Sequence, residues 1–162
     1  MTTVRLGPES AVIGFIGTGV MGKSMARNLM KQGYRLHIYS RTKSKAEELI
    51  AEGAVWQPPP AEVARQANVV ITMVGFPRDV EEVYLGEDGI IAAARAGSYL
   101  IDMTTSSPML AARIHKEANR NGLHALDAPV SGGDVGAREA RLSIMVGGDR
   151  QAFDAVLPIL ET

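Results

Sequence analysis

Apolar residues along the chain gather in short runs of strand length, separated by stretches of helical period and by glycine and proline breaks. Val12, Ile13, Phe15 and Ile16 make the first compact run, which predicts a strand. Met21, Met25 and Leu29 then recur every four residues, with Ala26 and Met30 beside them, and predict a helix that stops at Gly33. Arg35 to Tyr39 reads as a second strand, 43–51 as a short polar helix closed by Gly53, and 61–67 as another short helix. Pro58, Pro59 and Pro60 make 56–60 a stiff extended link. Residues 68–74 are apolar on both faces (Val69, Val70, Ile71, Met73, Val74), the mark of a parallel strand covered by helices. Further strands are predicted over 98–102, 123–127 and 142–146, and helices over 107–121 and 150–160; no element is assigned between 78 and 98. Pro108 suits the first turn of its helix and Gly122 its stop.

Alternating strands and helices imply right-handed crossovers and a doubly wound, mostly parallel sheet with helices on both faces, an α/β fold of Rossmann type. With 162 residues the chain is expected to form one domain, 1–162, large enough to bury roughly 70% of its unfolded surface. Ligands of such sheets bind beyond the carboxyl ends of the strands, where strand order reverses. The stretches ending each strand are 17–22, 40–43, 74–78 (with Val74, Gly75 and Phe76), 103–107 and 129–133, all expected to converge on one edge.

At the first of these ends, Gly17-x-Gly19-x-x-Gly22 has the spacing of a dinucleotide-binding turn. Gly17 would permit the tight turn, Gly19 the approach of a pyrophosphate, and Gly22 the packing of helix on strand. Thr18, Val20 and Met21 complete the stretch, and the free amides and positive dipole end of the helix would face the phosphates. An ordinary β–α turn without ligand is the alternative; the position of the glycines between strand and helix favours the fingerprint.

NAD-type cofactors are usually held by a carboxylate about 20 residues past the glycines. The second strand ends instead in Ser40-Arg41-Thr42-Lys43, with no carboxylate. Two hydroxyls and a guanidinium suit a ribose 2′-phosphate, so NADP is expected over NAD; otherwise Arg41 and Lys43 simply open a solvated helix.

Net charge is −1, from 17 Lys+Arg and 18 Asp+Glu, which suggests neither nucleic acid nor an anionic membrane as partner. The absence of Cys excludes disulfides and thiolate chemistry. No apolar run approaches the ~18 residues of a membrane helix, and the first eleven residues do not read as a signal peptide, so a cytoplasmic location is the default expectation.

Proton transfer to a carbonyl oxygen needs a positioned donor, and few are offered. His37 lies within a strand, His115 within a helix and His124 early in a strand, and each reads as structural or solvated. Asp102 and Asp127 end strands near the cleft, yet an ionised carboxylate is a poor donor. Lys23 is expected to touch solvent or phosphate. Ser131, Gly132 and Gly133 offer a hydroxyl and bare amides to a small anion such as a carboxylate. Residues 104–107 offer more hydroxyls, or simply cap the helix beginning near Pro108.

Four stretches in order (14–22, 102–108, 127–133 and 145–148) make the sequence resemble the β-hydroxyacid dehydrogenases, the group of 3-hydroxyisobutyrate dehydrogenase and the semialdehyde reductases, with 6-phosphogluconate dehydrogenase as a relative. The resemblance covers nearly the whole chain. It implies that the first stretch binds the dinucleotide, that Thr105 sits beside the nicotinamide, and that Ser131, Gly132 and Gly133 hold the substrate carboxylate. Ser40-Arg41-Thr42 is similar to the NADP-preferring branch. Ala140-Arg141-Leu142 departs from the family's Gly-Thr-Leu step and leaves the subfamily open. The family's catalytic lysine lies in a helical second domain, which also carries much of the subunit interface. The chain is therefore expected to be the cofactor domain alone, binding dinucleotide without turnover, with no catalytic residue of its own, no metal, and a homo-oligomer at full length. A 6-phosphogluconate dehydrogenase domain and a non-catalytic dinucleotide sensor are the alternatives.

Overall fold

The structure is a computed structural model that describes residues 6–17, 20–40, 43–57, 59–74, 77–87, 89–104, 108–128, 130–131, 143–144, 147–148 and 150–160. Strand β1 (Val12–Ile16) leads into helix α1 (Val20–Lys31) and strand β2 (Arg35–Tyr39), as the apolar pattern predicts. The helix expected over 43–51 divides into a 3-10 turn, Lys43–Lys45, and α2 (Glu47–Ala51). The amide of Ala46 donates to the Lys43 carbonyl at 2.8 Å, the tight i→i+3 closure of a 3-10 turn.

The extended link is shorter than expected. Val55–Trp56 forms strand β3, parallel to β2, and Pro60 already opens α3 (Pro60–Gln66). A first-turn proline lacks only an amide that would have had no partner in the helix. Strand β4 (Val69–Thr72) is followed by two helices that the pattern did not predict, α4 (Pro77–Leu85) and α5 (Ile90–Ala93). Then come β5 (Tyr99–Asp102), α6 (Pro108–Arg120) and β6 (His124–Asp127). Of the strand expected over 142–146, Ser143–Ile144 is strand, and 142, 145 and 146 lie outside the described residues. β7 (Val130–Ser131) pairs antiparallel with β8 (Ser143–Ile144), while β9 (Gly147–Gly148) pairs antiparallel with β6. Helix α7 (Arg150–Leu160) closes the described chain.

The main sheet has the order β3-β2-β1-β4-β5-β6-β9, with the first six strands parallel. Alternate residues of its central strands face opposite helical layers. Ile13, Phe15, Ile71, Ile101 and Leu126 pack with α1, α2 and α7; Ile16, Val70, Leu100 and Ala125 pack with α3, α4, α5 and α6. At Gly14 a Cβ would lie 2.4 Å from a Val63 methyl, so α3 rests directly on the β1 backbone. The segment before β1 is tied to α7 by the Leu6 amide on the Ala155 carbonyl at 2.8 Å. Because β1 has β2 on one side and β4 on the other, the chain reverses direction across the sheet at β1, and a crevice opens at the carboxyl ends of β1 and β4.

Candidate functional site

Gly17 stands at that crevice with φ +100°, a conformation glycine adopts freely and other residues resist. Its amide donates to the Tyr39 carbonyl of β2 at 2.9 Å. A Cβ there would come within 2.1 Å of the Met73 carbonyl oxygen just past β4. The turn is thus wedged between the two neighbouring strands and has room for backbone only. At Gly22 a Cβ would lie 2.0 Å from the Gly17 carbonyl oxygen, so α1 starts in direct contact with the turn. The first turn of α1, which begins at Val20, contains no acidic residue. Its positive dipole end is therefore not neutralised from within the helix. Met21 is half-buried against the adjoining core, while Thr18 and Gly19 lie outside the described residues.

Ser40 is buried at the end of β2, and Arg41 and Thr42 lie outside the described residues. Next to this end, the Lys43 ammonium lies 5.9 Å from the centre of the Trp56 ring, which tilts against Tyr39 at 5.5 Å. Val74 is half-buried past β4, with Gly75, Phe76 and Thr105 outside the described residues. Ser131 pairs through its backbone with Ser143, and Gly132 and Gly133 are also outside.

The ends of β4 and β5 are joined by a buried polar network that the sequence reading missed. Thr72 Oγ1 donates to Asp102 Oδ1 at 2.9 Å, and the Thr104 amide donates to the same oxygen at 3.0 Å. A hydroxyl has one proton, so the Tyr84 hydroxyl, 2.7 Å from Thr72 Oγ1, is the donor in that pair. Thr104 Oγ1 in turn accepts the Val74 amide at 2.9 Å. Burial pushes the Asp102 carboxyl up from its ordinary value, against the hydrogen bonds from Thr104 and Thr72 that favour the ion. Burial also raises Asp127, its register partner on β6, and raises the Tyr84 hydroxyl. The available signal was Thr72 itself, a hydroxyl closing an otherwise apolar strand. Asp102 and Asp127 also line a cavity of about 220 Å³ beside Ile114 and His115 of α6.

Lys23 touches solvent, as expected, with 30% of its side chain exposed, and its ammonium pairs with Glu48 at 2.8 Å, beside an Arg27 that binds Glu48 and Glu52. His37 is half-buried with Nδ1 lacking a hydrogen-bond partner, and burial together with nearby Arg35 lowers its pKa. His115 lies 3.4 Å from the Ala125 carbonyl, and His124 stacks on Tyr99 at the start of their strands. Among the described residues no His, Asp and Glu cluster could hold a metal, and no helix is long and apolar enough to cross a membrane.

A parallel sheet of this order, with a Gly-x-Gly-x-x-Gly turn wedged at its reversal point, defines a nucleotide-binding domain of the doubly wound class. Residues 12–162 match the family described as the NAD binding domain of 6-phosphogluconate dehydrogenase, and the chain belongs to that family. It is 55% identical over 147 residues to the uncharacterized oxidoreductase YkwC of Bacillus subtilis, covering 91% of this chain and 51% of that protein. The fold is similar to that of Mycobacterium tuberculosis 3-hydroxyisobutyrate dehydrogenase, solved with L-serine, at TM-score 0.88 and 36% identity over 93% of this chain and 51% of the other. It is equally similar to Psf3, solved with NADP+ and 2-OPP, at TM-score 0.89 and 34% identity over 93% and 53% of the two chains. The chain spans about half the length of the relatives it matches.

Proposed function

We propose that this domain binds NADP(H) for an oxidoreductase that moves hydride between the nicotinamide and a short 3-hydroxy acid or its semialdehyde. The observation that carries the reading is the Gly17 turn, wedged at the β1–β4 crevice with room for backbone alone, at the start of a helix without acid in its first turn. Pyrophosphate would rest beside the Gly17 turn on the amides of 18–21, the Gly17 amide itself being held by the Tyr39 carbonyl, with Val74, Gly75, Phe76 and Thr105 along the remainder of the cofactor. The preference for NADP rests on Ser40, Arg41 and Thr42, which put a guanidinium and hydroxyls where NAD-type sites place a carboxylate. Lys43 adds positive charge beside them, held near the Trp56 face.

The substrate class is supported by the mycobacterial relative, a 3-hydroxyisobutyrate dehydrogenase solved with L-serine. Both molecules carry a primary hydroxyl two bonds from a carbon that bears the carboxylate. Ser131, Gly132 and Gly133 would hold that carboxylate. The nicotinamide supplies the hydride acceptor; the hydroxyl proton must leave to a base. Lys23 is paired with Glu48, and His37 and His124 lie away from the carboxyl ends of the strands; the resemblance to the β-hydroxyacid dehydrogenases implies a lysine of a second domain as that base.

Side-by-side calorimetric titration with NADPH and NADH tests the reading. NADPH is expected to bind more tightly, and Arg41→Ala is expected to cost NADPH about 1.5–3 kcal/mol while leaving NADH unchanged. The chain by itself is expected to show no turnover of 3-hydroxyisobutyrate or L-serine. Failure of both coenzymes to bind folded protein refutes the reading, and equal losses with the two remove Arg41 from its role.

A further inference from the structure

The four-residue network at the ends of β4 and β5 is built for more than filling the sheet. Thr72 and Tyr84 lie wholly inside, but Asp102 and Thr104 reach to the strand ends, where Val74 and Thr104 lead into the stretches that receive the cofactor in the function proposed above. The Val74 amide has left the β4 ladder, whose last pair is Thr72 with Asp102. Its partner is a side-chain hydroxyl, not a carbonyl. The two strand ends are therefore held across the sheet edge by Thr104 Oγ1, and Thr104 is itself held by the Asp102 carboxyl through its amide. Thr104 is 3% exposed and Asp102 6%, so water does not readily replace either bond.

We propose that Thr104, anchored by Asp102, is a positioning residue that sets the separation of the β4 and β5 ends on which NADPH binding depends. It acts through the Val74 backbone. The inner half of the network, Tyr84 on Thr72, stabilises the sheet without reaching the edge. The proposal rests on the dinucleotide reading, and the test separates the two.

The 162-residue chain is titrated with NADPH well below its unfolding temperature, alongside the variants Thr104→Val, Thr104→Ser and Tyr84→Phe. Thr104→Val keeps the shape and removes the acceptor, and is expected to weaken NADPH about tenfold, the size of one lost hydrogen bond that leaves a buried donor unpaired. Amide exchange should speed at Val74 while Met73 and Met103, which donate to the Ile16 and Thr72 carbonyls, keep their protection. Thr104→Ser restores the acceptor and should bind within about threefold of the parent. Tyr84→Phe should lower the melting temperature and leave NADPH affinity within about twofold. If Thr104→Val does not fold, Thr104→Ala removes the same hydroxyl without a new methyl and is read in the same way. Parent-like affinity in Thr104→Val or Thr104→Ala overturns the proposal, as does a Tyr84→Phe loss as large as theirs, because affinity would then simply follow stability. A parent chain that binds neither NADPH nor NADH overturns the dinucleotide reading itself and this inference with it.

Discussion

Substitution of Gly17 by alanine tests the wedge directly. Two terms oppose the alanine. At φ +100° a side chain costs about 1–2 kcal/mol in backbone energy, of which about 0.4–1 kcal/mol is returned because alanine narrows the unfolded ensemble. The second term is contact. The new Cβ would stand 2.1 Å from the Met73 oxygen and 2.7 Å from its carbonyl carbon, where ordinary contact begins near 3.4 Å. The two nearest atoms are backbone, ahead of a Val74 methyl at 3.3 Å, so the backbone must move, against the Met73 amide on Ile16 and the Gly17 amide on Tyr39, both at 2.9 Å. Overpacking of this kind costs about 1–3 kcal/mol, which brings the expected total to about 3 kcal/mol. Gly97 supplies the control. It also has positive φ, +89°, but a Cβ there meets nothing within 4 Å. Gly97→Ala should therefore lose only the backbone term, about 1 kcal/mol or less. Urea denaturation of both variants gives the difference, expected at about 2 kcal/mol, and thermal melting should separate them by roughly 4–8 °C. Gly17→Ala should also lose measurable NADPH binding, whereas Gly97→Ala keeps it. Equal destabilisation of the two variants would refute the argument that the β1 turn is clamped against β4.

Three further outcomes follow from the electrostatics and packing. Asp102 has its pKa raised by burial, so the native state holds its proton more tightly and stability is lost as pH climbs above the ordinary 3.8; Asp102→Asn should remove that loss, so its stability relative to the parent must rise with pH in urea melts between pH 3 and about 7, and a falling difference contradicts the burial argument. His37 has its pKa lowered, so the stability it contributes is present above 6.5 and is lost as pH falls through its native value; His37→Phe should remove that acid loss, and an unchanged pH profile would mean that the ring titrates normally. Arg27→Ala breaks exposed pairs with Glu48 and Glu52 and should lower the melting temperature only slightly at low salt and not measurably at high salt, a salt-independent loss pointing to packing instead.

The sequence by itself determined the parts set by short-range physics. Val12–Ile16, Arg35–Tyr39 and Arg150–Leu160 were legible because apolar period and glycine or proline punctuation act within a few residues. Gly17 and Gly22 were legible because their spacing between strand and helix is a short-range pattern, although the wall that Gly17 meets, the Met73 carbonyl, comes from beside β4. Helices α4 and α5 were not, since Val80, Tyr84 and Ile90 become a core face only once β4 and β5 lie beneath them. Val55–Trp56 became a strand because β2 offered an open edge, which no local pattern announces. Lys23 could be placed only after α2 brought Glu48 across from 25 residues away. Likewise Thr72, 30 residues before Asp102, forms one network with Asp102 and Thr104 only because β4 and β5 pair in parallel register. Hydrogen bonds reach about 3 Å whatever the separation in sequence, and the pairing of distant strands decides which groups come within that reach.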